Sequence, residues 1–276
     1  MKMDCEDSTS CTLSGHAAPP QADALYDTEL YETDANSRRI NAHRGRIGAA
    51  LSQTYLAFRV TRVLEIGCGQ GYVTRQLSEW FSQADIFATD PAWNRLSSWQ
   101  PQPSIRRFSA DGCKLPCPDS TFDLVVLWSV LDHIDKFREA LSEVSRVVRR
   151  DGWVLVNSSL FARFVRLQRP DPLTHYQYFS YPALLSLIRG CGFRVIAVRG
   201  NGFPCQLYHR RLNDWKNRLG LRGFPRLLRH GLALLMNPYG ATKVFPWLFG
   251  PLNAVGRLYP RLAFDVTVLA QKGTTP

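Results

Sequence analysis

No run of eighteen uncharged apolar residues occurs in this sequence, which argues against a transmembrane helix. The first residues are acidic and lack the apolar core of a secretory signal. Seven cysteines (Cys5, Cys11, Cys68, Cys113, Cys117, Cys191 and Cys205) are odd in number and never fall as C-x-x-C. That spacing argues against a disulfide framework and a zinc site, so no metal is expected and a reducing cytoplasm is the expected compartment. No internal repeat is visible.

What is present is ordinary globular material: 276 residues, 45% hydrophobic and 21% charged. That is enough for one large α/β domain and excludes wholesale disorder. The net charge of +11 is unevenly spread. Residues 1–36 hold one Lys against eight Asp/Glu, whereas residues 203–261 hold ten Lys/Arg against Asp214 alone. A basic surface of this kind favours lipid headgroups, nucleic acid or acidic substrates, and charge by itself does not choose among them.

Residues 1–24, rich in Ser, Asp, Pro and Ala without periodicity, read as a disordered tail, and the domain proper is expected over 25–276. Within it, 25–60 is expected to form a helical cover, with Ile40, Ile47 and Leu51 at helical spacing. An alternation follows. Val63–Ile66 reads as a buried strand, and Val73, Leu77, Trp80 and Phe81 as one face of a helix. Strands are predicted at Ile86–Thr89, Ile105–Phe108 and Asp123–Trp128; the last, DLVVLW, is apolar without alternation, as in a central parallel strand. Phe137 to Val148 carries a helical stripe, with Arg149 and Arg150 expected at its C-terminal end and Gly152 as its terminator. Further strands are expected at Trp153–Val156, Phe193–Val198 and Phe264–Leu269, with a helix capped by Ser180 running through Cys191. This order predicts an α/β fold: a doubly wound, Rossmann-like parallel sheet of seven strands with helices on both faces.

Between the first strand and first helix lies Gly67-Cys68-Gly69-Gln70-Gly71. Glycines there let the backbone turn tightly and approach a ligand beyond the strand's carboxyl end. Alone, such a turn is weak evidence. Three acidic positions sharpen it. Glu65, two residues before the glycines, would repel a diphosphate and welcome an ammonium group. Asp90 ends the second strand, where a carboxylate can accept two ribose hydroxyls. Asp111-Gly112 follows the third strand, where an acceptor can meet an exocyclic amine. A ligand with amino acid, ribose and adenine parts accounts for all three, and S-adenosylmethionine is that ligand.

The segments VLEIGCGQGYVT (63–74), ATD (88–90), ADGCKLPCPDSTFDLVVLWSVLDHI (110–134) and REALSEVSRVVRRDGWVLV (138–156) resemble the class I S-adenosylmethionine-dependent methyltransferases, in the type 11 small-molecule branch that includes quinone-biosynthesis enzymes. The resemblance implies that Glu65, Gly67, Gly69 and Gly71 line the methionine end of the cofactor. It also implies that Asp90 holds the ribose, Asp111 and Gly112 meet the adenine, and Trp128 flanks the methionine moiety. Arg150-Asp151-Gly152 stands where the family often has Pro-Gly-Gly. A nicotinamide-binding Rossmann unit, the nearest rival, accounts for neither Glu65 nor the residues from Asp111 to Asp123.

For the acceptor side, Asp132 and His133 follow the fourth strand. His133 reads either as a general base or as a packed or capping residue, and the family's acid-His pair at this place favours the second. The connection Ser159–Phe179 holds His175, a second candidate base, with Tyr176 and Tyr178 as substrate contacts; the alternative is a surface loop. Tyr26 and Tyr31 are read as closing the site from the N-terminal side.

Residues 199–263 form a basic, aromatic, helical insertion before the last strand. Tyr208, Leu212, Trp215 and Leu219 recur at helical spacing among arginines and lysines. The segment suits an anionic membrane surface, contacted through 203–261, or a plain helical cap, with nucleic acid ranked lower. The expected activity is methyl transfer from S-adenosylmethionine to a small, lipophilic or aromatic acceptor, with oxygen as the first choice of atom, in the cytoplasm with membrane association in view. The alternatives are a methyltransferase acting on RNA of the tRNA type and a non-catalytic cofactor-binding partner protein.

Overall fold

The computed structural model describes residues 45, 48–56, 60–100, 102–160, 177, 179–201, 254–263 and 265–273. The Ile40 and Ile47 positions, the 1–24 tail, Tyr26, Tyr31, His175, Tyr176, Tyr178 and the insertion from 202 to 253 lie outside them.

After a helical stretch at 48–55 (α1) come β1 (Arg62–Ile66), α2 (Tyr72–Trp80), β2 (Asp85–Asp90), α3 (Trp93–Ser97), β3 (Ile105–Ser109) and β4 (Phe122–Trp128). A 3-10 turn, Leu131–His133, leads to α4 (Phe137–Val147), β5 (Val148–Ser159), α5 (Tyr181–Gly190) and β6 (Phe193–Asn201). A short helix at 254–258 (α6) and a 3-10 turn, Pro260–Leu262, precede β7 (Asp265–Lys272).

The seven strands form one sheet in the order β3-β2-β1-β4-β5-β7-β6. The order reverses between β1 and β4, the switch point beyond which ligands bind in open α/β sheets. The lack of alternation in β4 has a simple cause: both faces are covered. Val125 and Leu127 join the core beneath α4 and α5, while Leu124, Val126 and Trp128 join the core beneath α1 and α2. Each such side chain, fully withdrawn from water, contributes about 1.5–3 kcal/mol.

Two expectations need correcting. The sheet is mixed, not parallel throughout, because β7 runs antiparallel to both β5 and β6. The geometry of the connection explains this. Asn201, which ends β6, pairs with Asp265, which begins β7, so the long 202–264 segment leaves and rejoins the sheet at one edge. A parallel β7 would require a crossover to the opposite edge. Consistently, Arg199, Gly200 and Asn201 are strand residues and not the start of the insertion. The returning end of that segment is seated firmly: a Cβ on Gly200 would lie 2.2 Å from the Gly256 carbonyl oxygen.

The second correction concerns α4, which ends at Val147, so Gly152 does not terminate it. Arg149, Arg150 and Gly152 belong to β5, where the pairing with β4 jumps from Phe122–Val148 to Leu124–Trp153. Asp151, at φ 60°, makes the bend that absorbs the extra residues. Lys272 closes the helix instead, donating to the carbonyls of Ser145 (2.6 Å) and Val148 (2.8 Å). The α5 cap is as expected: the Ser180 hydroxyl accepts from Ala183 N at 3.3 Å, and Gly192, at φ 86°, follows the C-cap Cys191.

Candidate functional site

The glycine turn leaves β1 with three left-handed residues, Gly67 (φ 72°), Gly69 (φ 50°) and Gly71 (φ 71°). Its N–H groups are held from β2. Gly67 N and Cys68 N donate to the Thr89 carbonyl at 2.7 and 3.0 Å. Close packing adds to the demand for glycine. A Cβ on Gly67 would lie 2.5 Å from a Val130 methyl, and one on Gly71 would lie 2.6 Å from the Trp99 ring.

Two buried carboxylates define the site's charge. Asp90, at the end of β2, accepts from Gly69 N on Oδ2 (2.9 Å) and from Ala92 N on Oδ1 (3.0 Å). Asp90 therefore bridges the glycine turn to the start of α3. Glu65, 2% exposed, accepts from the Thr74 hydroxyl on α2. The Cys68 thiol between them registers the local field. Burial first, then the charges of Glu65 and Asp90, push its pKa well above the ordinary thiol value. Two carboxylates beside the turn suit a cationic group there better than a diphosphate.

Asp111-Gly112 lies across the mouth of β1. A Cβ on Gly112 would approach the Ile66 side chain at 3.0 Å and Ile134 at 3.6 Å. Asp111 is exposed, and its Oδ1 accepts from Cys113 N at 2.9 Å. Gly67, Gly69, Gly71, Glu65, Asp90 and Asp111-Gly112 accordingly gather around the carboxyl ends of β1, β2 and β3. Trp128 ends β4 nearby and is buried, with the far edge of its indole against α1: a Cβ on Gly48 would lie 2.8 Å from it. Its Nε1 has no hydrogen-bond partner among the described residues.

Past β4, Ser129 takes a left-handed conformation (φ 53°), and the 3-10 turn places Asp132 in the interior and His133 half-buried. His133 N donates to the Val130 carbonyl at 2.9 Å. A residue missed by sequence reasoning, Gln177, laces this turn together. Its Nε2 donates to the carbonyls of Leu131 (3.1 Å) and Ile134 (3.2 Å), either side of Asp132 and His133.

Trp99 was also missed. It backs the glycine turn between two guanidinium groups, Arg75 at 5.5 Å and Arg107 at 4.7 Å from its ring centre. Arg107 additionally donates to the Trp99 carbonyl at 2.8 Å. No local pattern marks Trp99, because its partners come from α2, the glycine turn and β3. Among the described residues no group of three or more His, Cys, Asp or Glu could hold a metal ion, and no helix is long and apolar enough to cross a membrane.

Comparison with known proteins agrees with this fold. Residues 64–156 match the model of a methyltransferase domain family. A malonyl-[acyl-carrier protein] O-methyltransferase of Bacillus anthracis is 25% identical over 130 residues, which cover 46% of this chain and 48% of that protein. A mitochondrial arginine hydroxylase of Rattus norvegicus is 36% identical over 143 residues, 48% of this chain and 41% of that one. Phosphoethanolamine N-methyltransferase 2 of Haemonchus contortus, solved in complex with S-adenosyl-L-methionine, superposes with a TM-score of 0.58 at 14% identity, covering 92% of this chain and 60% of that one. The chain spans about half the length of the first curated relatives it matches. Likeness at such low identity speaks to fold, and function has to be argued from the site.

Proposed function

We propose that this protein, whose residues 64–156 carry a class I methyltransferase domain, transfers a methyl group from S-adenosylmethionine to a small, lipophilic or aromatic acceptor. The observation that carries this reading is the pair of buried carboxylates, Glu65 and Asp90, on either side of a left-handed glycine turn. A donor that is both a nucleoside and a cation fits that pair, and a nicotinamide dinucleotide does not.

When bound, the donor supplies a methyl group already activated on a sulfonium. The chain's own residues therefore need only bind, orient and keep water out. Glu65 receives the amino-acid ammonium, and its bond to Thr74 fixes the carboxylate. Asp90 receives the ribose hydroxyls while bridging Gly69 to Ala92. Asp111 and Gly112 border the adenine, and Trp128 supplies an apolar wall beside the methionine portion. On the acceptor side, Asp132 and His133 stand past β4 with Gln177 holding their turn. His133 acts as a packing and positioning group unless the acceptor must lose a proton of high pKa, where it serves as base. Oxygen is our choice for the acceptor atom. Tyr26, Tyr31, His175, Tyr176 and Tyr178 complete the acceptor wall in this reading.

We further assign the basic 203–261 segment to an anionic lipid surface and the protein to the cytoplasm. Cosedimentation with vesicles containing phosphatidylserine at low salt, lost at high salt, is the expected behaviour; indifference to vesicles of either charge contradicts it.

The test of function is turnover. Purified protein with S-adenosylmethionine and a panel of phenolic and carboxylic acceptors should release S-adenosylhomocysteine with at least one acceptor. Binding without release from any acceptor would mark a non-catalytic partner protein. Release from RNA alone, falling steeply with salt, would move the assignment to RNA modification.

A further inference from the structure

We infer that Asn157 is a positioning residue for the donor site: it holds the left-handed turn after β4 against the donor glycines, from an anchor where the 202–264 segment rejoins the sheet. The inference rests on the donor reading above and extends it to a residue that touches no part of the glycine turn.

Asn157 lies on β5 between Trp128 of β4 and Thr267 of β7, and it is wholly buried. A polar amide in the middle of a sheet would be costly without partners, and this one has them on both sides. Toward β7, Nδ2 is within reach of Thr267 Oγ1 (3.0 Å), the Val266 carbonyl (3.3 Å) and Asp265 Oδ1 (3.4 Å). Toward β4, Oδ1 accepts from the Ser129 hydroxyl (2.9 Å), and the Asn157 carbonyl accepts from Ser129 N (2.9 Å). The Val266 carbonyl fixes which end of the amide points where, since the reversed amide would set two acceptors face to face.

Ser129 is the residue these bonds restrain. At φ 53° it has a backbone conformation that side chains disfavour, at the carboxyl edge of the central strand. Val130, the next residue, covers Gly67; a Cβ there would meet its two methyls at 2.5 and 2.8 Å. The order of contact is therefore Asp265 and Thr267, Asn157, Ser129, Val130, Gly67. Asn157 thus joins β7 to the Ser129 turn.

The experiment compares S-adenosylhomocysteine binding by calorimetry with thermal melting on the full chain. Asn157→Ala should weaken binding about ten-fold. Adding Ser129→Gly, which accepts the left-handed conformation without help, should restore binding to within about two-fold of wild type while the melting temperature stays low. A general packing defect would not be rescued this way. Should Asn157→Ala not fold, Ser129→Ala against Ser129→Gly decides alone, because both lack the hydroxyl and only alanine resists the turn. Weaker binding for the alanine variant than for the glycine variant is the expected result. Wild-type affinity in Asn157→Ala, failure of the rescue, or equal affinity of the two Ser129 variants would overturn the inference while leaving the donor reading intact. A wild-type protein that binds no S-adenosylhomocysteine would overturn both.

Discussion

The two halves of the sheet are built on different rules. In the β3-β2-β1-β4 half every pairing is parallel, and the functional groups sit at strand ends a short distance apart in sequence. Asp90 reaches Gly69 across 21 residues, and Glu65 reaches Thr74 across 9. In the β5-β7-β6 half the pairings are antiparallel, and the polar groups meet from afar: Asn157 and Asp265 are 108 residues apart. The first half carries the groups proposed to hold the donor, tied to the second half through Ser129 and Asn157. The second depends on a strand that returns only after the basic segment has been laid down.

The sharpest way to break that division is Asp90→Ala. Removing the carboxylate deletes the proposed ribose contact and strands two backbone N–H groups, so donor affinity should fall about 100-fold, close to 2.7 kcal/mol. Calorimetry on folded variant protein reads this directly, and a change below two-fold would remove Asp90 from the site.

Asp123 makes the matching control, since it lies at the opposite, amino-terminal edge of the same strands. It accepts from Thr61 N, Thr61 Oγ1 and Arg62 N and pairs with Arg149. Asp123→Ala should lower stability by about 2–3 kcal/mol in denaturant titration. Donor affinity measured on the folded protein should stay within two-fold. A large loss of affinity would mean that the two edges of the sheet are not functionally separate.

A smaller effect distinguishes scaffold from site by pH. Hydrogen bonding from Arg146 holds the Glu143 carboxyl below the ordinary glutamate range. A depressed carboxyl pKa adds stability above the unfolded value, near pH 4.3, and that stability is lost as pH falls through the folded value. Glu143→Gln should therefore flatten the acid limb of the stability profile and leave the pH dependence of donor binding unchanged. An altered binding profile would tie α4 to the site.

The smallest expected effect is chemical. Burial is the main cause raising the pKa of both Cys68 and Cys113, the latter to about 12. Native protein treated with iodoacetamide at neutral pH should show little labelling at either, read by mass spectrometry. Rapid labelling of Cys68 would mean that the thiol is not held buried in the glycine turn.

The contrast between halves also sets what a linear reading can recover. The glycine turn and its acids were legible because strand, turn, helix and strand-end acid recur at short fixed distances. The apolar run of β4 was legible because burial on both faces leaves its mark in composition. The direction of β7 was not, since nothing in Asp265–Lys272 records which edge the preceding 63 residues return to. The end of α4 was misplaced because the Arg149–Gly152 bend carries the same basic and glycine signals as a helix terminus. Trp99, Gln177 and Asn157 were missed for one common reason: each acts through partners brought together by the sheet, and none stands beside those partners in the chain.

In the function proposed above, Glu65 and Asp90 make the glycine turn a receptor for a cationic nucleoside. Isothermal titration of S-adenosylmethionine into the purified chain tests it most directly, with the nicotinamide dinucleotide as competitor. Saturable one-to-one binding, weakened in Glu65→Gln and undisturbed by the dinucleotide, is the predicted result. A protein with native circular dichroism that takes up no S-adenosylmethionine, or that exchanges it for the dinucleotide, would contradict the claim.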